Sequence, residues 1–124
     1  MDLIIRKCMK CGALVEVLND CHCENCGIQC CGEQMRSFMP NNEDASFEKH
    51  MPVVVIEGEE IVVSVPHVME EDHFIEWIEL IDNNRKYRQV LEIGKPAQAR
   101  FPYKKGSKVY SYCNKHGLWS VDVK

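Results

Sequence analysis

Val53-Val54-Val55-Ile56-Glu57-Gly58-Glu59-Glu60-Ile61-Val62-Val63-Ser64-Val65 decides the fold. Two β-branched runs flank an acidic stretch with one glycine, and Pro52 and Pro66 bracket the whole. β-Branched side chains suit a pleated, half-buried surface, and glycine supplies the positive φ of a tight reversal, so the segment reads as a hairpin. Downstream, His73-Phe74-Ile75-Glu76-Trp77-Ile78-Glu79-Leu80-Ile81 is ambiguous by period. Its aromatic and β-branched content, ended by Asp82-Asn83-Asn84, makes it a strand. Further strands are expected over 87–93, 97–103, 108–112 and 118–123. The last sets Trp119, Val121 and Val123 on one face against Ser120 and Asp122 on the other. Short strands every 8–12 residues or so, punctuated by Gly, Pro and Asn, predict an antiparallel sandwich or barrel. There is no internal repeat and no low-complexity tract.

The 124 residues make one domain, or one with a small appendage. A net charge of −4 with mixed signs argues against a nucleic-acid backbone binder. No apolar run approaches the roughly 20 residues of a membrane span, and Met1-Asp2-Leu3-Ile4-Ile5-Arg6 is too short and acidic for a signal peptide. A cytoplasmic protein is expected.

Eight cysteines are the unusual feature, and seven lie between Cys8 and Cys31. A disulfide framework would spread its bridges through the fold, so metal ligation is the better reading. Residues 1–36 form a cysteine segment with too little apolar material for a core of its own, which calls for a staple. Within it, Cys8-Met9-Lys10-Cys11-Gly12 is a C-x2-C-G turn, 14–18 is a short strand and Asn19-Asp20 its turn. Cys23-Glu24-Asn25-Cys26-Gly27 repeats the C-x2-C-G form. Residues 37–50 are a polar connector, so the division expected is 1–36 and 37–124.

The histidines are His22, His50, His67, His73 and His116. Four stand beside expected strand ends, where a sandwich gathers residues distant in sequence. Cys113-Asn114-Lys115-His116 offers a thiolate and an imidazole from one loop. A single loop histidine is ordinarily an unremarkable surface residue; the set together suits iron, copper or zinc. A copper electron-transfer site would add an axial Met after the late cysteine, and Met69 is the last methionine.

Three stretches resemble the superoxide reductases: Phe47-Glu48-Lys49-His50-Met51-Pro52-Val53, 65–78 around Val65-Pro66-His67 and His73, and Cys113-Asn114-Lys115-His116-Gly117-Leu118-Trp119. The Cys8/Cys11 turn and Cys30-Cys31-Gly32-Glu33-Gln34-Met35 resemble the desulforedoxin-like domain of the two-iron members, the desulfoferrodoxins. The resemblance implies an all-β chain: a small metal-stapled desulforedoxin-like domain, then an immunoglobulin-like antiparallel β-sandwich carrying catalysis. It implies a mononuclear non-haem iron held by His50, His67, His73 and His116 with Cys113 axial, its sixth position open. The activity implied is one-electron reduction of superoxide to hydrogen peroxide. Lys49 matches the family's cation, serving anion attraction and proton delivery, and Glu48 its glutamate, a sixth ligand of the oxidised resting state. Lys115 departs from the apolar residue usual at that place.

The same resemblance selects Cys8, Cys11, Cys30 and Cys31 for a second ion, iron or zinc. Residues Cys8, Cys11, Cys23 and Cys26 also close a tetrahedral site, in the manner of a zinc ribbon. With the first set, Cys21, Cys23 and Cys26 are spare thiols, oxidisable or able to pair with each other, and His22 is a surface residue. A rubredoxin-like electron donor and a homodimer are implied by the family; neither nucleic acid nor membrane is expected as a partner. The competing readings are a non-catalytic iron electron carrier and a zinc-stapled binding module.

Overall fold

The computed structural model describes residues 2–24 and 26–124, which fall into two units, Asp2–Met39 and Pro40–Lys124. The first contains the short strands β1 (Ile5–Lys7), β2 (Leu14–Glu16), β3 (Gln29–Cys30), β4 (Glu33–Gln34) and β5 (Arg36–Ser37). β1 is the centre of a three-stranded antiparallel sheet in the order β2-β1-β5, and β3 pairs with β4. Arg36 and Ser37 pair with β1, and the unit runs to Met39. β2 is shorter than the 14–18 stretch read from sequence, although the Val17 N–H still donates to the Ile4 carbonyl at 2.8 Å. Among its described residues, Leu3, Ile5 and Met35 are the buried apolar side chains besides Cys8.

Two tight turns shape this unit. Between β1 and β2 the Gly12 N–H returns to the Cys8 carbonyl at 2.9 Å, with Gly12 at φ +82°. Between β3 and β4 the two loop residues, Cys31 and Gly32, both have positive φ, 54° and 77°. That is the primed turn whose twist matches a two-residue hairpin. Each turn displays two cysteines.

The second unit opens with a single helical turn, α1 (Phe47–His50), followed by strands β6 (Val53–Glu57), β7 (Glu60–Val65), β8 (Ile75–Ile81), β9 (Lys86–Val90), β10 (Ala97–Pro102), β11 (Lys108–Cys113) and β12 (Gly117–Asp122). They form two antiparallel sheets, β10-β7-β6 and β12-β11-β8-β9, with an apolar core that includes Ile61, Val63 and Phe101 from one and Ile78, Leu80 and Val109 from the other. Each such side chain, fully buried, contributes about 1.5–3 kcal/mol. The all-β sandwich expected from strand spacing is what forms. The valine-rich hairpin reverses through Gly58 at φ +63°, its strands in register from Val53↔Ser64 to Glu57↔Glu60.

β8 shows why its period was ambiguous. It pairs with β11 as Tyr112↔Trp77 and then Cys113↔Ile75, a bulge that leaves Glu76 unmatched. Ile75 and Ile78 are both fully buried, so the inward positions step by three across the bulge and by two beyond it. A three-residue step imitates a helix. On β12, Leu118 and Trp119 are both fully buried, so the alternation expected there holds only past the strand's first residues.

The connector is not a free loop. Asn41 behaves as a one-residue strand against β12: its N–H donates to the Leu118 carbonyl (2.9 Å), its amide nitrogen to the Ser120 carbonyl (3.1 Å), and its amide oxygen accepts the Ser120 N–H (2.9 Å). Among the described residues no helix is long and apolar enough to cross a membrane.

Candidate metal centres

One end of the sandwich collects the four histidines expected there and the lone late cysteine. His50 closes α1, His67 follows β7, His73 precedes β8, Cys113 ends β11 and His116 sits in the turn to β12. One donor atom from each of the five lies within 4.8 Å of all the others. His50 Nε2 is 3.0 Å from His116 Nδ1, and His73 Nε2 is 3.3 Å from the same atom. Two nitrogens bound at right angles to one ion, at bonds of about 2.1 Å, would stand about 3.0 Å apart. Cys113 Sγ lies 3.5 Å from His67 Nε2 and 3.7 Å from His116 Nδ1.

Backbone carbonyls fix which ring nitrogens face inward. His50 Nδ1–H donates to the Ser46 carbonyl at 2.7 Å, one turn back along α1, and His67 Nδ1–H donates to the Val68 carbonyl. Both leave Nε2 as a lone pair aimed at the cluster, the orientation a metal-bound imidazole needs. Burial holds His50, His67 and His73 below the ordinary imidazole pKa, and neighbouring imidazoles reinforce the effect. They are therefore neutral at pH 7 and able to bind a cation. Burial pushes the Cys113 thiol up, opposed by the N–H groups of Lys115 and His116, the latter 3.3 Å from the sulfur. Four imidazoles and a fully buried sulfur that two amides help to ionise fit an iron ion well.

Asn114 and Trp119, which sequence reasoning gave no role, hold this arrangement. Asn114 Oδ1 accepts the Phe74 N–H and its Nδ2 donates to the Asp72 carbonyl, each at 3.0 Å, so it clamps the loop of His73 to the loop of Cys113. Trp119 stacks on His50 at 4.9 Å and donates its indole N–H to the His116 carbonyl at 3.0 Å. Phe47 packs edge-on against the same indole. The only sequence signal for these roles is adjacency to the expected ligands.

All four imidazoles line a solvent-open pocket of about 450 Å³, together with Ser46, Lys49, Val68 and Glu70 among others; Cys113 does not. The Cys113 sulfur is fully buried, outside the pocket lining. Besides the imidazoles, the charged residues in that lining are Lys49, Asp44 and Glu70. Glu48, its neighbour on α1, is exposed and does not line the pocket. Lys115 points to Asp72, Nζ to Oδ2 3.9 Å, both exposed.

In the first unit, Cys8, Cys11, Cys30 and Cys31 come together. Cys11 Sγ and Cys30 Sγ are 3.7 Å apart, and Cys30 Sγ and Cys31 Sγ 3.8 Å. Tetrahedral thiolates with bonds of about 2.3 Å would be separated by about 3.8 Å. The N–H of Cys11, joined by that of Lys10, brings the Cys8 thiol down to about 6 against the opposing effect of burial, while hydrogen bonds to Cys8 and Cys11 push the Cys30 thiol up to about 12. Cys23 and Cys26, the alternates of the zinc-ribbon-like reading, lie outside this group, in which the β3–β4 hairpin turn places Cys30 and Cys31. His22 is exposed and belongs to neither cluster among the described residues.

A sandwich with a cluster of four imidazoles and one cysteine sulfur at its end, on a chain that also gathers four cysteines, carries two side-chain groups able to hold metal ions. Residues 42–122 match the family model described as Desulfoferrodoxin. The chain is 48% identical to a desulfoferrodoxin of Syntrophotalea carbinolica over 97% of this chain and 96% of that one, and 40% identical to a desulfoferrodoxin of Nitratidesulfovibrio vulgaris over 96% and 95%. It is similar in structure to the superoxide reductase from Treponema pallidum, with a TM-score of 0.73 and 25% identity, covering 98% of this chain and all of that one. The chain belongs to the desulfoferrodoxin family.

Proposed function

We propose that this protein is a superoxide reductase, adding one electron and two protons to superoxide to give hydrogen peroxide. The observation that carries the reading is the open face: four imidazoles line a pocket together with Lys49, while the Cys113 sulfur is fully buried outside that lining. Iron held by His50, His67, His73, His116 and Cys113 would supply the single electron. Lys49, which lines the pocket, is proposed to draw the anion in against a net charge of −4 and to supply a proton to the product. Cys113 donates electron density, while the amides on its sulfur temper that donation. Glu48, exposed beside Lys49 on α1, is proposed as a further carboxylate that would help hold the iron in its oxidised form. An electron carrier would have no use for an open pocket with a cation.

Cys8, Cys11, Cys30 and Cys31 are proposed to hold a second ion, iron or zinc, with no free position for substrate. Thus 1–36 and its continuation to Met39 serve as a desulforedoxin-like metal domain and the remainder as the catalytic domain. A rubredoxin-like donor, a cytoplasmic location and a homodimer complete the proposal. β6 supports the last, as an edge strand with Val53, Val55 and Ile56 about half exposed.

Pulse radiolysis of the anaerobically reduced, iron-loaded protein tests this reading. Wild type should be oxidised by superoxide in a second-order step, slowed about tenfold in Lys49→Ala by loss of local attraction. A rate untouched by Lys49→Ala would remove its role, and no oxidation at all would remove the activity.

A further inference from the structure

A third group of sulfurs lies outside both metal clusters. Cys21 and Cys26 form a disulfide with their Cα atoms 5.8 Å apart, and the free thiol of Cys23 lies 3.7 Å from Cys26 Sγ. Cys21 and Cys23 are exposed, while Cys26, the sulfur they share, is half-buried. Asp20 Oδ1 sits 3.5 Å from Cys21 Sγ. That carboxylate is itself fixed by Arg6 at 3.0 Å and by the Cys21 N–H at 2.8 Å.

We propose that Cys21, Cys23 and Cys26 form a thiol–disulfide exchange site whose substrates are low-molecular-weight thiols and disulfides. The free thiol is already in contact with the sulfur it would attack, and Cys23 and Cys26 have the C-x2-C spacing at which exchange is commonly found. The Cys23 thiolate attacks Cys26 Sγ, forming a Cys23–Cys26 bond as the Cys21–Cys26 bond breaks. Cys21 leaves with the electron pair and takes up the proton that Cys23 released, and Asp20 Oδ1 accepts a hydrogen bond from the new thiol. No electrons are gained or lost in this internal step. An external dithiol then gives two electrons and two protons, closing its own disulfide and leaving Cys23 and Cys26 as thiols. The reverse sequence on a small disulfide returns the loop to its oxidised form and releases two thiols. The half-buried Cys26 is reached from within the loop, while exposed Cys21 and Cys23 meet the substrates.

The test uses the full-length, metal-loaded protein with dithiothreitol as reductant and bis(hydroxyethyl) disulfide as oxidant, metal content being measured before and after. Free thiols of the oxidised protein are trapped with iodoacetamide and located by peptide mass mapping. The site predicts label on both Cys21 and Cys23, because Cys21–Cys26 and Cys23–Cys26 bridges coexist. Cys23→Ser should leave only the first bridge and slow disulfide turnover about tenfold. Cys26→Ser should remove both bridges. Label on Cys23 alone with turnover unchanged in Cys23→Ser would overturn the proposal. So would turnover that tracks metal loss from the Cys8 cluster, or a third metal equivalent bound by these three sulfurs.

Discussion

Asn114 bonds through its side chain to Phe74 and Asp72, on either side of His73, while its own neighbour is Cys113. It touches no proposed substrate, yet it sets the separation of two proposed ligands from different loops. Asn114→Ala should weaken iron binding by about 10- to 100-fold, as loss of outer partners of metal ligands does, which chelator competition on the purified protein would measure. Asn41 is the comparable residue for the connector. Removing its two side-chain bonds to Ser120 should cost about 1–2 kcal/mol of stability in Asn41→Ala, read from denaturant midpoints. The five proposed ligands were legible because imidazoles and a thiolate have distinctive chemistry and sit in motif-like settings. Asn114 and Asn41 were not, because an asparagine's partners lie 40 or more residues away and leave no local pattern.

Among the elements, the sandwich strands were legible from their β-branched runs and turn punctuation. β1, β3, β4 and β5 were not, since two or three residues cannot display a period. The β8 bulge hid a strand behind a helix-like step, and that irregularity lies beside Cys113 at the metal end of the sheet. The turn between β8 and β9 was legible, and it carries a pH signature. The N–H groups of Asn84 and Arg85 bind Asp82 Oδ1 at 2.7 and 2.8 Å, and these bonds hold the Asp82 carboxyl below its ordinary pKa. A carboxyl lowered by folding stabilises the native state above its unfolded pKa, and that contribution fades as pH falls through the folded value. Asp82→Ala should therefore be less stable than wild type at pH 7, and the gap should close on acidification below the carboxylate range. Thermal midpoints across pH for the two proteins would show it.

The two units rest on different physics. Pro40–Lys124 buries apolar side chains from both sheets, whereas Asp2–Met39 has Leu3, Ile5 and Met35 beside a knot of thiols. Metal binding free energy is folding free energy where the apolar core is this small. Stripping the ion from the Cys8 cluster with a chelator should abolish amide-exchange protection in β1, β2 and β5 while the β7, β8 and β11 amides keep theirs. The composition raises the same expectation, since clustered cysteines in an apolar-poor segment need a staple. The exchange loop at Cys21, Cys23 and Cys26 was legible only as surplus thiols. The most direct test of the whole account is the product formed when anaerobically reduced, iron-loaded protein meets superoxide. One hydrogen peroxide per iron oxidised, with no dioxygen released, is the predicted result; dioxygen evolution, or iron that stays reduced, would contradict it.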